Sequence, residues 1–179
     1  MGARASYAEA AIGLGKYLAE QNIGLVYGGA SIGLMGAVAD AARTHGGRVI
    51  GVIPQSIADM EIAHQGLSEL HVVESMHQRK ALMADLASGF IALPGGIGTL
   101  EETFEALTWS QLGIHAKPVG LLNIDGFYDG LDQFLDTLVE QAFVKPEHRA
   151  FLQMETQPEH LVDSLLQTKI NTIPKVVEP

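Results

Sequence analysis

Apolar positions along this chain fall into two rhythms. Short runs rich in branched aliphatics appear at 24–29 (GLVYGG), 48–54 (RVIGVIP), 69–74 (ELHVVE), 89–96 (GFIALPGG) and 117–122 (KPVGLL). Between them lie longer stretches with helical spacing, predicting helices near 6–21, 34–45, 76–88, 99–113 and 128–141, with shorter ones near 147–151 and 158–167. Continuous apolar strands separated by helices indicate a parallel sheet covered on both faces. The expected class is therefore α/β, a Rossmann-like doubly wound parallel sheet. No internal repeat or linker interrupts it, so residues 1–167 are expected to form a single domain. The closing KINTIPKVVEP carries two prolines and predicts an extended tail over 168–179.

In open parallel sheets, ligands collect beyond the carboxyl ends of the strands. Two glycine-rich loops fall there: GGASIGLMG after LVY, and PGGIGT after FIAL. Neither is a standard fingerprint. A dinucleotide loop needs G-x-G-x-x-G, but Ala30 spoils the spacing of Gly28, Gly29, Gly33 and Gly36. The next strand ends in Pro54, where an acidic residue would hold the ribose of NAD. Gly15-Lys16 is followed by Tyr17, which does not make a P-loop.

Composition narrows the field further. The chain has 179 residues, 47% hydrophobic and 18% charged, with a formal net charge of -10 and a pI near 5.0. A balance this acidic argues against a nucleic-acid or anionic-membrane footprint, though one basic cluster is enough for a small anion. Without cysteine there is no disulfide, thiolate nucleophile or Cys-based zinc site. The seven histidines show no H-x-x-x-H spacing, and no metal site is expected. The opening MGARASYAEA lacks a signal-peptide core and no apolar run reaches membrane-spanning length, so the expected location is cytoplasmic.

The segment LPGGIGTLEE, 93–102, poses a charge problem. Glycines that expose backbone N–H groups suit an anion, yet Glu101 and Glu102 follow at once. Taken alone, Thr99-Leu100-Glu101-Glu102 reads as a capping box, with Thr99 at the N-cap and Glu102 at N3. A second element is Arg79, which has Leu82, Met83 and Leu86 at i+3, i+4 and i+7, the inward stripe of its helix. An inward arginine needs an anionic partner, either a structural carboxylate such as Asp85 or a ligand.

Together these segments resemble the LOG-type phosphoribohydrolases that activate cytokinins, a family long labelled lysine decarboxylases. The pattern P-G-G-x-G-T-x-x-E stands intact as Pro94 to Glu102, preceded by Met76-His77-Gln78-Arg79-Lys80. LVYGGASIGLMG and TWSQLGIHAKPVGLLNIDGFYD match as well, and the likeness runs from about residue 7 to 151.

The resemblance implies hydrolysis of the N-glycosidic bond of a nucleoside 5′-monophosphate, an N6-substituted adenylate, with no cofactor. It implies Arg79 and Glu102 as catalytic residues. It places the phosphate on the N–H groups of Gly96, Ile97, Gly98 and Thr99, with Leu100 and Glu101 in the same binding segment. Lys80, Glu61 and Thr108 are further binding residues, and a homodimer or larger homo-oligomer is implied. A solvated loop acid and a helix-surface hydroxyl remain ordinary readings of Glu61 and Thr108. A decarboxylase would need a pyridoxal Schiff-base lysine, and Lys80, the only lysine near the glycine loop, is assigned to nucleotide binding. Two alternatives stay open: a general AMP nucleosidase, and a non-catalytic protein that binds a nucleotide or molybdenum cofactor. One departure stands out. Family members normally open with a strand ending in Cys/Gly-Ser-Ser-x-G, whereas here MGARASYAEAA leads directly into the first helix, so that strand is expected to be missing.

Overall fold

A computed structural model of the chain describes residues 2–58 and 64–170. The chain divides into two compact units, Met1–Ala87 and Ser88–Pro179. Each unit is built on its own three-stranded parallel sheet, ordered β1-β2-β3 in the first and β4-β5-β6 in the second.

The first unit runs α1 (Ala5–Glu20), β1 (Leu25–Tyr27), α2 (Gly33–Thr44), β2 (Val49–Pro54), α3 (Gln55–Ala58), β3 (Glu69–Val73) and α4 (Met76–Leu86). β2 is central, with Val26 opposite Ile50 and Val52 opposite His71. All six of its residues are buried, as an unbroken apolar run requires when both faces are covered. β3 lies at the edge and alternates, with Leu70 and Val72 exposed. Small residues bring α1 and α2 together. A Cβ on Gly15 would lie 2.3 Å from the Val38 carbonyl oxygen, so only glycine permits that approach.

The second unit contains β4 (Phe90–Ala92), α5 (Ile97–Gln111), β5 (Val119–Leu122), α6 (Asp129–Glu140), α7 (Pro146–Arg149), β6 (Leu152–Glu155) and α8 (Pro158–Gln167), with a 3-10 turn at Ile124–Gly126. β5 is central and wholly buried. Around it gather Ala92, Ala106, Leu107, Val119, Leu121, Tyr128, Leu135, Phe151 and Leu152.

Strands β1 to β5 fall on the five apolar runs. β6 was not expected, because LQME alternates over only four residues, too short a signal to stand out beside the longer apolar runs. It pairs with β5, with Val119 opposite Leu152. The four-residue α3 was not expected either. Most helix ends move by one or two residues, the ordinary uncertainty of a frayed terminus. Among the described residues no helix is long and apolar enough to cross a membrane.

Candidate functional site

In the second unit, β4 ends at Ala92 and α5 begins at Ile97, with extended Gly96 (φ -91, ψ -162) as its N-cap. This corrects the capping-box reading. Thr99 is the third helical residue, and Glu102 stands in the second turn. The first intrahelical bond runs from Leu100 N–H to Gly96 C=O at 3.2 Å. Helix geometry therefore leaves the N–H groups of Gly96, Ile97, Gly98 and Thr99 with no acceptor inside the helix. Neither glutamate occupies the first turn, where it would compete with an anion for those donors.

The glycines of this loop divide by use. A Cβ on Gly95 would sit 2.2 Å from Thr99 Oγ1, so Gly95 lets the turn fold against its own helix. At Gly96 and Gly98 an added Cβ would meet no described atom within 4 Å, and neither has a positive φ. Nothing in the described fold asks for glycine at these two positions.

Further along α5, Glu101 is exposed and Glu102 half-buried. At 100° per residue Thr108 falls beneath Glu101, while Trp109 falls beneath Glu102. Thr108 is indeed exposed, roughly 9 Å of helix rise beyond Glu102. Thr103 Oγ1 donates to the Thr99 carbonyl at 2.6 Å and closes the first turn from inside.

In the first unit, α4 is capped by Ser75, whose hydroxyl accepts from Gln78 N–H at 3.2 Å, while Gln78 Oε1 accepts from Glu74 N–H at 2.9 Å. A Ser-x-x-Gln cap thus exists here rather than at Thr99, with Gln78 reaching back to the N–H one residue before the N-cap. It sets where α4 begins, and so where Arg79 and Lys80 project, both half-buried. Leu82 and Met83 are half-buried too, but Leu86 is 41% exposed and the expected inward stripe ends before it. The Arg79 guanidinium lies over the glycine turn that follows β1. A Cβ on Gly28 would be 2.5 Å from its Nη2.

That turn is held by three residues that no sequence spacing connects. Tyr27 Oη is 2.7 Å from His64 Nδ1, and His64 Nε2 is 3.2 Å from Asp40 Oδ1. Since a carboxylate only accepts, His64 donates from Nε2 to Asp40, while its Nδ1 pairs with the Tyr27 hydroxyl. The His64 backbone N–H also donates to the Gly29 carbonyl at 3.0 Å. Burial, and then the Asp40 charge, raise the Tyr27 phenol above its ordinary range. The hydrogen bond from Arg43 holds Asp40 below the usual carboxylate value. Positions 27, 40 and 64 come together only through the sheet, so no local motif announces them. Glu61 lies outside the described residues.

Comparison with known proteins adds to this geometry. The sequence model of the family described as "Possible lysine decarboxylase" matches residues 35–165. A probable cytokinin riboside 5′-monophosphate phosphoribohydrolase of Oryza sativa subsp. japonica is 55% identical over 148 residues, 83% of this chain and 65% of that protein. A cytokinin riboside 5′-monophosphate phosphoribohydrolase of Arabidopsis thaliana is 49% identical over 164 residues, 92% of this chain and 76% of that protein. The chain spans about two thirds of the length of the rice relatives it matches. Among solved structures, the molybdenum cofactor binding protein of Rippkaea orientalis superimposes with a TM-score of 0.70 at 23% identity, covering 92% of this chain and 91% of that one. At that identity the likeness speaks for the Rossmann-like α/β fold alone. The match over residues 35–165 takes in both Met76–Lys80 and Pro94–Glu102, and with relatives this similar the chain belongs to the LOG-type phosphoribohydrolase family.

Proposed function

We propose that this chain hydrolyses the N-glycosidic bond of a cytokinin riboside 5′-monophosphate, releasing the N6-substituted adenine and ribose 5-phosphate. The observation that carries the proposal is the start of α5: four outward N–H groups, two glycines that face open space, and a carboxylate one turn further on. Backbone donors at a helix start suit a phosphate, which the dipole favours and which glycine lets approach closely. The N6 substituent is supported by the names of the plant relatives.

Breaking the bond between base and C1′ builds positive charge on the ribose. Glu102 balances that charge and takes a proton from the attacking water, whose oxygen bonds to C1′ as the bond electrons leave with the base, and the base then takes up a proton to depart as the neutral adenine. Phosphate and carboxylate thus have separate jobs, which resolves the charge problem of LPGGIGTLEE. Arg79 is the second catalytic residue in this proposal, with Lys80 and Glu61 in binding roles. A homodimer or larger homo-oligomer is part of it as well, supported by exposed Leu112 (51%) and Ile114 (63%) just beyond α5. Light scattering at micromolar concentration should give at least twice the chain mass, and a fully active monomer would contradict it.

The deciding assay is chromatographic detection of free base from N6-isopentenyladenosine 5′-monophosphate, AMP and the two unphosphorylated nucleosides. The prenylated monophosphate should react, and the nucleosides should not, because an anchored phosphate supplies binding energy at the reacting bond. Equal turnover of AMP would make the protein a general AMP nucleosidase, and no base from any substrate would make it a carrier.

A further inference from the structure

A buried polar cluster lies at the carboxyl end of β5, outside the motifs that carry the proposed chemistry. Asn123, 5% exposed, donates its backbone N–H to the Glu155 carbonyl at 2.8 Å. Its side chain reaches forward. Oδ1 accepts from Tyr128 N–H at 2.8 Å, and Nδ2 donates to Asp129 Oδ1 at 2.7 Å. The intervening chain turns sharply, with Asp125 at φ 53 and Gly126 at φ 72. An Asn side chain thus holds the main chain at Tyr128 from within a tight turn.

Tyr128 is 2% exposed, and its ring packs in the cluster that includes Ala92 at the end of β4 and Ala106 and Leu107 on α5. Phe127 meets it edge-on at 4.9 Å. Packing alone would be served equally by phenylalanine. The hydroxyl has a specific destination: it donates to the Leu93 carbonyl at 2.6 Å. Burial pushes the phenol up to about 12, so the donor keeps its proton at any ordinary pH. Leu93 is the first residue of the loop that leads into α5. Pro94 after it is buried with its φ fixed by the ring, and Gly95 is locked against Thr99 Oγ1. Tyr128 anchors the near end of this short loop and Thr99 the far end.

We propose that Tyr128 is a positioning residue for the phosphate: with its main chain held by Asn123, its hydroxyl fixes the Leu93 carbonyl and with it the row of N–H groups from Gly96 to Thr99. This rests on the reading that the start of α5 holds the substrate's 5′-phosphate. Donor rows act on an anion only within a few tenths of an ångström, so an anchor three residues away is felt in binding.

Tyr128→Phe keeps the ring and removes the hydroxyl. On N6-isopentenyladenosine 5′-monophosphate its KM should rise about 5- to 10-fold, the value of one hydrogen bond, with kcat changing far less. Protection against thermal unfolding by ribose 5-phosphate should weaken in parallel. A merely structural role predicts the opposite split, because losing folded protein lowers apparent kcat and leaves KM alone. Asn123→Ser, which shortens the acceptor of Tyr128 N–H, should move KM in the same direction, and it decides the matter if Tyr128→Phe does not fold. Wild-type KM and undiminished protection in a folded variant overturn the inference while leaving the proposed function standing. A wild-type chain that releases no base and is not protected by ribose 5-phosphate overturns both.

Discussion

The two glycine-rich loops occupy equivalent places, each between a three-residue strand and the helix that follows, yet their glycines answer to different demands. After β1 the glycines serve the protein. Gly28 makes room for the Arg79 guanidinium, and a Cβ on Gly36 would sit 2.1 Å from the Ser31 carbonyl oxygen. Gly29 and Gly33 hold positive φ, at 76 and 66. After β4, only Gly95 has such an internal reason, and Gly96 and Gly98 face open space. A glycine that the fold requires looks the same in sequence as one kept clear for a ligand. What would collide with a methyl group tells them apart.

Four substitutions test that contrast, with expected effects that diminish in order. Glu102→Gln should lower base release by at least ~10²-fold, the lower end for a positioned acid–base group. Because α5 is capped at Gly96, the substitution should leave the thermal midpoint unchanged. Retention of most activity would remove Glu102 from the mechanism. Next, Gly36→Ala forces a methyl group into main chain, and denaturant titration should show a loss of about 1–3 kcal/mol. Gly98→Ala should do the reverse, gaining about 0.4–1 kcal/mol by restricting the unfolded chain, while nucleotide binding by calorimetry weakens. A destabilised Gly98→Ala with normal binding would mean that glycine too serves the fold.

The smallest effect tests whether the site can be perturbed from a distance. His115 packs on Phe90 at 5.3 Å, and its Nδ1 accepts from Lys117 N–H at 3.2 Å. Burial first, and the Lys117 charge second, hold its imidazole below the ordinary 6.5. The folded chain therefore binds fewer protons here than the unfolded one. The stability contributed by keeping His115 neutral is present above about pH 6.5 and is lost as pH falls through the lower folded value. His115→Phe should flatten the decline in thermal midpoint between about pH 7 and pH 5 without altering KM.

How far the sequence could be read depended on whether a signal was local. Strands β1 to β5 were legible because burial on both faces leaves a continuous apolar run. β6 was not, since at the edge of the sheet Gln153 and Glu155 interrupt the apolar run, and the alternation they leave spans only four residues. Thr99-x-x-Glu102 imitates a capping box, and only the extended backbone at Gly96 shows that the helix starts earlier. Arg79 could be singled out as an inward cation, but Gly28 as its resting place could not. Tyr27, Asp40 and His64, and likewise Leu93 and Tyr128, meet across strands, where sequence separation hides them.

The start of α5 has one more consequence. Glu102 follows Gly98 by four residues, a rise of about 6 Å along a helix that does not stretch. If the N–H row grips phosphate, the helix is a ruler with an anion clamp at zero and a carboxylate at a fixed mark. Selection is then by length as much as by charge. A 5′-phosphate and a 3′-phosphate of the same nucleoside, equally charged, would then set the anomeric carbon at different distances from that mark.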